Sequence, residues 1–236
     1  MKNIIVFGAS GNGKVVLDCI QKQGKYSVIG FIDSNKRKGS VVVGYTVLGS
    51  VADLPILVEK YGIVGGVVAI GDNWIRKKVV DKITSILPNF IFVNVIHPNA
   101  CVGRESHIGK GSVIMSGAIV GSSTRVGDFC IVNTNASIDH DSIMGDFSSL
   151  APRVCTGGNF YLGEFSVVCL GTNIIENIRI GNHSVIGAGS LVIDNVESNV
   201  LAFGSPAKVV RKRNPGESYL TGAKKRTISH NFLKEV

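Results

Sequence analysis

Asp139-His140-Asp141 places the only histidine with an acid on either side. Imidazole exchanges protons near neutral pH. A flanking carboxylate, Asp141 or Asp139, can orient the ring and stabilise its protonated form. Gly157 and Gly158 follow eighteen residues after Asp139 and His140. Two consecutive glycines leave backbone N–H groups open to a ligand, and one such group can hold a developing oxyanion. Near the start of the chain, Gly8-Ala9-Ser10-Gly11-Asn12-Gly13 follows an apolar run, Lys2 to Phe7. Glycines there let backbone N–H groups and a helix N-terminus meet phosphate oxygens. Their spacing is GxxGxG rather than the dinucleotide GxGxxG. Asp33 closes a second apolar run, where an acid can accept hydrogen bonds from a ribose or base. A tight turn with a helix-capping acid accounts for this segment equally well.

A period in the sequence shows what positions the histidine. From Ile96 to Val192 an aliphatic residue returns at every sixth position, and among these 17 positions only Thr156 departs. Neither a helix of 3.6 residues per turn nor an alternating strand has a six-residue beat. A solenoid of short parallel strands does, with one inward side chain per flat side. Glycine follows the repeating position nine times, for example Gly103, Gly109, Gly127 and Gly181, as expected for turns with unusual backbone angles. Four residues after the aliphatic the side chain is nearly always small, as at Ser112, Ala118 and Ser142, which suits a narrow prism. Three hexapeptides make a coil, so Ile138-Asp139-His140 stacks between Val120-Gly121-Ser122 and Thr156-Gly157-Gly158, with neighbours about 4.8 Å apart. An exposed turn histidine is the plain alternative. The break at Thr156 beside two glycines at the same corner favours a site.

Before the solenoid, strands over residues 2–7, 28–32, 64–70 and 90–95 alternate with helices over 14–23 and 74–87. That order predicts a small parallel sheet with covering helices, whose ligands lie beyond the carboxyl ends of its strands. The expected fold is α/β followed by β. A Rossmann-like domain spans 1–95, a left-handed parallel β-helix spans 96–212, and a basic tail spans 213–236.

Hydrophobic residues make up 44% and charged residues 18% of the 236, as in ordered domains with a core. No apolar stretch reaches 18 residues, so no membrane span is expected. No signal-peptide cleavage site follows the first apolar run. The five cysteines form no CxxC pair, which predicts reduced thiols, a cytoplasmic setting and no zinc. The histidines His97, His107 and His183 do not recur one coil apart, so no metal site is expected. Of the net charge of +8, the last 29 residues carry +6, from eight Lys/Arg and two acids. The tail lacks aromatics suited to base stacking, so no nucleic acid is expected. A tail that docks on a neighbouring subunit or near ligand phosphates fits better.

Taken together, GASGNGKVV at 8–16, FID at 31–33, AIGDNWIRKKV at 69–79, IHPNA at 96–100, VNTNASIDHDSIMGDFSSLAP at 132–152 and FGSPAKVVRK at 203–212 resemble the NeuD-type family of bacterial sugar O-acyltransferases. That family includes acetyltransferases of nucleotide-linked 4-amino sugars and of sialic acids. The resemblance covers about residues 1–212. It implies a homotrimer with active sites between adjacent β-helices and acetyl-CoA along the solenoid wall. His140 is then the general base, Asp141 its orienting acid, Gly158 the oxyanion donor and Asn133 a contact to the acceptor sugar. Gly8, Ser10, Gly11, Asn12 and Gly13 would hold the nucleotide sugar, with Asp33 and Ser34 near the base and Gly71 and Asp72 closing the pocket. Gly171, Ala188, Gly189, Pro206 and Lys208 fall where the family binds CoA. Two positions depart from the family: Asn12 stands where many members have His, and Ser149 replaces a second histidine nine residues after the base. The expected activity is acetyl-CoA-dependent N-acetylation of a nucleotide-linked 4-amino sugar. O-acetylation of a sialic-type sugar and a non-catalytic nucleotide-sugar-binding trimer are the alternatives.

Overall fold

The computed structural model describes residues 1–220, so most of the predicted basic tail, residues 221–236, lies outside the described residues. The first domain runs β1 (Lys2–Phe7), α1 (Gly11–Gln23), β2 (Tyr26–Ile32), β3 (Val41–Val42), β4 (Tyr45–Gly49), α2 (Leu54–Tyr61), β5 (Gly65–Val68) and α3 (Asn73–Ile86). Its sheet has the order β3-β4-β2-β1-β5. All pairs are parallel except the β3–β4 hairpin. β1 lies centrally, and Ile4, Ile5, Val6 and Phe7 are all buried, as expected for a strand covered on both faces.

Helix α1 begins three residues before the expected Lys14. Gly13 is buried against Gly8, whose carbonyl oxygen a Cβ at residue 13 would strike. The first turn of the helix is thereby pressed onto the end of β1. Gly24, in the left-handed region at φ 67°, ends the helix. Three features were not foreseen. The β3–β4 hairpin turns at Val43-Gly44, both with positive φ, and a valine there is not a turn signal. α2 has a proline in its first turn and ends at Gly62. The expected strand over 90–95 is reduced to a bridge between Phe92 and Gly66. Val95 and Ile96 instead pair with Val113 and Ile114 and open the solenoid.

The solenoid is a three-sided parallel β-helix. Wall one stacks Cys101–Val102, Ile119–Val120, Ser137–Ile138, Cys155–Thr156, Asn173–Ile174 and Leu191–Val192. Wall two stacks His107–Ile108, Arg125–Val126, Ile143–Met144, Tyr161–Leu162 and Arg179–Ile180. Wall three stacks Val95–Ile96, Val113–Ile114, Ile131–Val132, Ser149–Leu150, Val167–Val168 and Val185–Ile186. It is completed by Val200–Gly204 and the antiparallel Ala207–Lys212. Strands pair with those 18 residues on, as at Val120 and Ile138, except at the last step of wall three, where Val185 pairs with Leu201. Val120, Val126, Val132, Ile138, Met144 and Leu150 are all but completely buried, each contributing about 1.5–3 kcal/mol by burial. The small residues four places on also act as donors: Ser112 Oγ donates to Gly127 O at 2.8 Å and Ser166 Oγ to Gly181 O at 2.6 Å.

The recurring glycines have a different cause from the expected one. Gly103, Gly109, Gly121, Gly127 and their equivalents do not have positive φ. They are required by close approach, since a Cβ at Gly121 would come within 2.5 Å of His140 N in the next coil. The left-handed residue is two places later, at Glu105, Phe129, Asn135, Asp141 and Asn159 among others.

The first domain covers the outer face of wall three. Arg76, 1% exposed, crosses this boundary from α3. Its Nε donates to Phe129 O at 2.8 Å, and its Nη2 donates to Asn73 Oδ1 at 2.7 Å, Phe147 O at 3.1 Å and Ser149 Oγ at 3.2 Å. Its Nη1 donates to Ile70 O and Gly71 O. Burial pulls the Arg76 pKa down from the ordinary arginine value. Beside it, Phe129, Phe147, Phe165 and His183 form a stack with centroids 4.8–5.3 Å apart along one edge of the prism.

Candidate active site

His140 lies on the turn joining wall one to wall two. This is the prism edge opposite wall three, and therefore opposite the first domain. Asp141 takes the left-handed conformation, φ 56°, which curls its side chain back to the ring. His140 Nδ1 and Asp141 Oδ2 are 2.7 Å apart. The pair is exposed, with the His140 side chain at 60%. The hydrogen bond to Asp141, followed by the charge of Asp139, raises the His140 pKa above its ordinary 6.5. With Nδ1 occupied, Nε2 is left to accept a proton.

The ring lies against Gly158. A Cβ there would come within 2.6 Å of Cε1 and 2.7 Å of Nε2. Gly157 N–H donates to Ile174 O and Asn159 N–H to His140 O. Between them, the Gly158 N–H has no hydrogen-bond partner among the described residues. A proton acceptor and an open donor are thus adjacent, the geometry acyl transfer needs for proton removal and oxyanion stabilisation.

Beyond β1 and β2 lies a cleft of about 280 Å³ lined by Phe7, Gly8, Ser10, Asp33, Ser34, Asn35 and the apolar Ile32, Ile70, Ile75 and Val79. The Asp33 carboxylate accepts from Ala9 N–H at 2.7 Å and Asn35 N–H at 2.8 Å, tying the glycine loop to the end of β2. Ser10 caps α1 by position without a side-chain hydrogen bond. Gly11 is exposed and Gly13 buried, and the Asn12 Nδ2 is buried without a partner among the described residues. Gly71 and Asp72 do not line this cleft. Asp72 caps α3 by accepting from Trp74 and Ile75 N–H, and the Gly71 carbonyl accepts from Arg76 and from Tyr219 Oη. Sequence reasoning missed Asn35, Ile75 and Val79, the last two reading as ordinary positions of an amphipathic helix.

The remaining residues lie on the edge joining wall three to wall one. Asn133 is half-buried there, its Oδ1 accepting from Thr134 N–H. Gly171 (φ 64°), Ala188 and Gly189 (φ 68°) are exposed along the same edge, with open space where a Cβ would stand on either glycine. Pro206, after a cis bond, and Lys208, 3.6 Å from Asp194, belong to the closing hairpin. Within one chain, then, His140, the cleft and this edge occupy three separate places. Ser149 belongs to none of them. It is buried in wall three, where its hydroxyl donates to Asn73 Oδ1 at 2.6 Å and accepts from Arg76.

No group of three or more His, Cys, Asp or Glu among the described residues is placed to hold a metal ion. No helix among them is long and apolar enough to cross a membrane. All five cysteines are free.

A β-helix with a histidine–carboxylate pair over an open N–H, joined to a Rossmann-like domain, defines a β-helical acyltransferase. Known proteins narrow the class. Residues 3–83 match the PglD N-terminal domain. A stretch of 118 residues, half of this chain, is 32% identical to UDP-N-acetylbacillosamine N-acetyltransferase of Bacillus subtilis (strain 168) and spans 52% of that relative. The structure of PerB from Caulobacter crescentus with CoA and GDP-perosamine superposes with a TM-score of 0.83 at 32% identity, over 89% of this chain and 98% of that one. The acetyltransferase domain of PglB from Neisseria gonorrhoeae with acetyl coenzyme A gives 0.81 at 30% identity, over 89% and 99%. The chain belongs to the family of acetyl-CoA-dependent sugar N-acetyltransferases that these proteins represent.

Proposed function

We propose that this protein transfers an acetyl group from acetyl-CoA to the amine of a nucleotide-linked 4-amino sugar, as a homotrimer whose sites lie between chains. The observation that carries the reading is the His140 ring, paired with Asp141 and lying over the open Gly158 N–H. The relatives bind what the reading needs: CoA and GDP-perosamine in one, acetyl-CoA in another. The geometry within one chain supports assembly. His140 is on the edge opposite the nucleotide-type domain, so a cleft brought by a second chain would complete the site. The assignment to the NeuD type rests on the motifs at 8–16, 69–79 and 132–152, and the free thiols fit a cytoplasmic setting.

Acetyl-CoA supplies the acetyl group through its thioester, and the exposed edge at Gly171, Ala188 and Gly189, with Lys208 beyond, leaves room for it. His140 Nε2 takes a proton from the amine as nitrogen joins the acyl carbon. The Gly158 N–H steadies the oxyanion until the thiolate leaves. Asp141 holds the imidazolium. The glycine loop and the cleft at Asp33 and Ser34 hold the nucleotide, and Asn133 of an adjacent chain meets the sugar.

Incubation with acetyl-CoA and a panel of UDP-, dTDP-, GDP- and CMP-sugars, read by mass spectrometry, tests this. A gain of one acetyl group on a 4-amino sugar is expected. A gain only on sialic-type sugars, or no acetyl-CoA binding by calorimetry, would overturn it.

A further inference from the structure

Thr156 is the one position where the inward aliphatic column is broken, and the hydrogen-bond ladder is broken at the same place. In wall one, neighbouring strands pair through both residues, as Ile119–Val120 does with Ser137–Ile138 and Cys155–Thr156 with Asn173–Ile174. The exception is the rung beneath the base, where only Ser137 and Cys155 pair. At equivalent places Gly121 N–H donates to Ile138 O at 2.8 Å and Gly157 N–H to Ile174 O at 2.9 Å. Asp139 N–H instead donates to the Thr156 hydroxyl, Oγ1, at 3.3 Å. The Thr156 carbonyl is left without a partner among the described residues.

The opening is confined. On one side of it Ser137 N–H donates to Val154 O at 2.8 Å, and on the other Asn159 N–H donates to His140 O at 2.9 Å. The Asp139 carbonyl accepts from Thr124 Oγ1 of the preceding coil at 2.8 Å. The residue before the base is therefore held by two threonine hydroxyls, one from each neighbouring coil. Thr156 is 3% exposed, so this hydroxyl costs the core an aliphatic side chain. Nothing in the repeat itself calls for it, because valine takes the same inward position at Val120, Val126, Val132, Val168 and Val192.

We propose that Thr156 is a positioning residue for His140. Its hydroxyl replaces its own carbonyl as the acceptor for Asp139 and so sets the height of the Asp139–Asp141 turn above Gly158. The ring already touches Gly158, so it has no room to follow if the turn settles onto the carbonyl. It must then tilt away from Asp141 or from the Gly158 N–H. The inference rests on His140 being the base of the proposed function.

The charged groups around the ring are few. Asp139 and Asp141 are on its own turn. The turns at 121–124 and 157–160 carry no titratable residue, Arg125 follows the first of them on wall two, and Arg104, Glu105 and Glu176 are one coil further away. Of the charged groups only Asp139 and Asp141 act on the His140 pKa. A change in the His140 titration therefore reports its relation to Asp139 and Asp141.

The test compares full-length Thr156→Val and Thr156→Ser with the unaltered chain. Thr156→Val should fold with an equal or higher Tm, because it restores the apolar column. Its kcat should fall about tenfold or more, with KM for acetyl-CoA within about twofold. The His140 titration midpoint, followed by NMR without substrate, should drop toward the ordinary histidine value. Thr156→Ser, which keeps the hydroxyl, should restore both. Any other combination overturns the proposal, including an unchanged kcat in Thr156→Val or equal impairment in Thr156→Ser. If the unaltered chain acetylates no sugar, the proposed function fails. The titration then decides the positioning by itself: a midpoint that moves with valine and returns with serine supports it, and an unmoved one overturns it.

Discussion

The imidazole of His140 covers the Cα of Gly158, one coil on, so closely that any side chain at residue 158 would occupy the ring's place. The imidazole and the open N–H are brought together by one contact between stacked turns of neighbouring coils. That contact makes the arrangement sensitive to small changes.

Replacing His140 with Ala should lower acetyl transfer by about 10² to 10⁴-fold. Binding of acetyl-CoA, measured by calorimetry, should be unchanged, because the residues expected to hold it lie on another edge of the prism. Retention of full activity would remove His140 from the chemistry.

Asp141→Asn should shift the acid limb of the pH–rate profile. A general base acts when unprotonated, and the Asp141 hydrogen bond raises the His140 pKa. The limb of kcat/KM should therefore lie above the ordinary 6.5 in the unaltered protein and move to lower pH in the variant. The plateau rate should drop because the imidazolium loses its partner. A limb that stays in place would show that the pair does not set the base.

Gly158→Ala should leave the thermal midpoint nearly unchanged, because the displaced ring is exposed. kcat should fall on the order of 10²-fold, as for a misplaced catalytic group. Steady-state kinetics and a melting curve together check this. A variant as fast as the parent would mean that the ring contact is incidental.

Arg76→Lys should destabilise the chain by roughly 3 kcal/mol, since buried carbonyls lose their donors. A lysine cannot reproduce the fork that reaches Phe129, Phe147 and Ile70 together. Urea unfolding should show this as a lower midpoint. An unaltered midpoint would mean that the junction does not depend on the guanidinium.

The β-helix was readable because every inward position of a prism meets the same surroundings, so one physical demand repeats every six residues. Thr156 and His140 were readable as departures from that repeat. The meaning of the glycines was not. At Gly121 the composition is the same whether a residue is needed for positive φ or for clearance, and only the stacked coil shows that clearance is the reason. Arg76 reads as a solvated residue on a helix, because nothing local reveals the carbonyls of Phe129 and Phe147, which come from 53 and 71 residues away. Ser149 stands where the resemblance leads one to expect a second histidine, and its hydroxyl serves the domain junction, a contact made with Asn73 across 76 residues.

Sequence by itself determined the repeating architecture of the solenoid and singled out His140 as the candidate base. Both follow from short-range regularities, an inward side chain per hexapeptide and an imidazole between two carboxylates. Tertiary structure decided where that imidazole faces. The first domain docks on wall three while His140 occupies the opposite edge, and this placement depends on contacts between residues far apart in the chain, which carry no local signature.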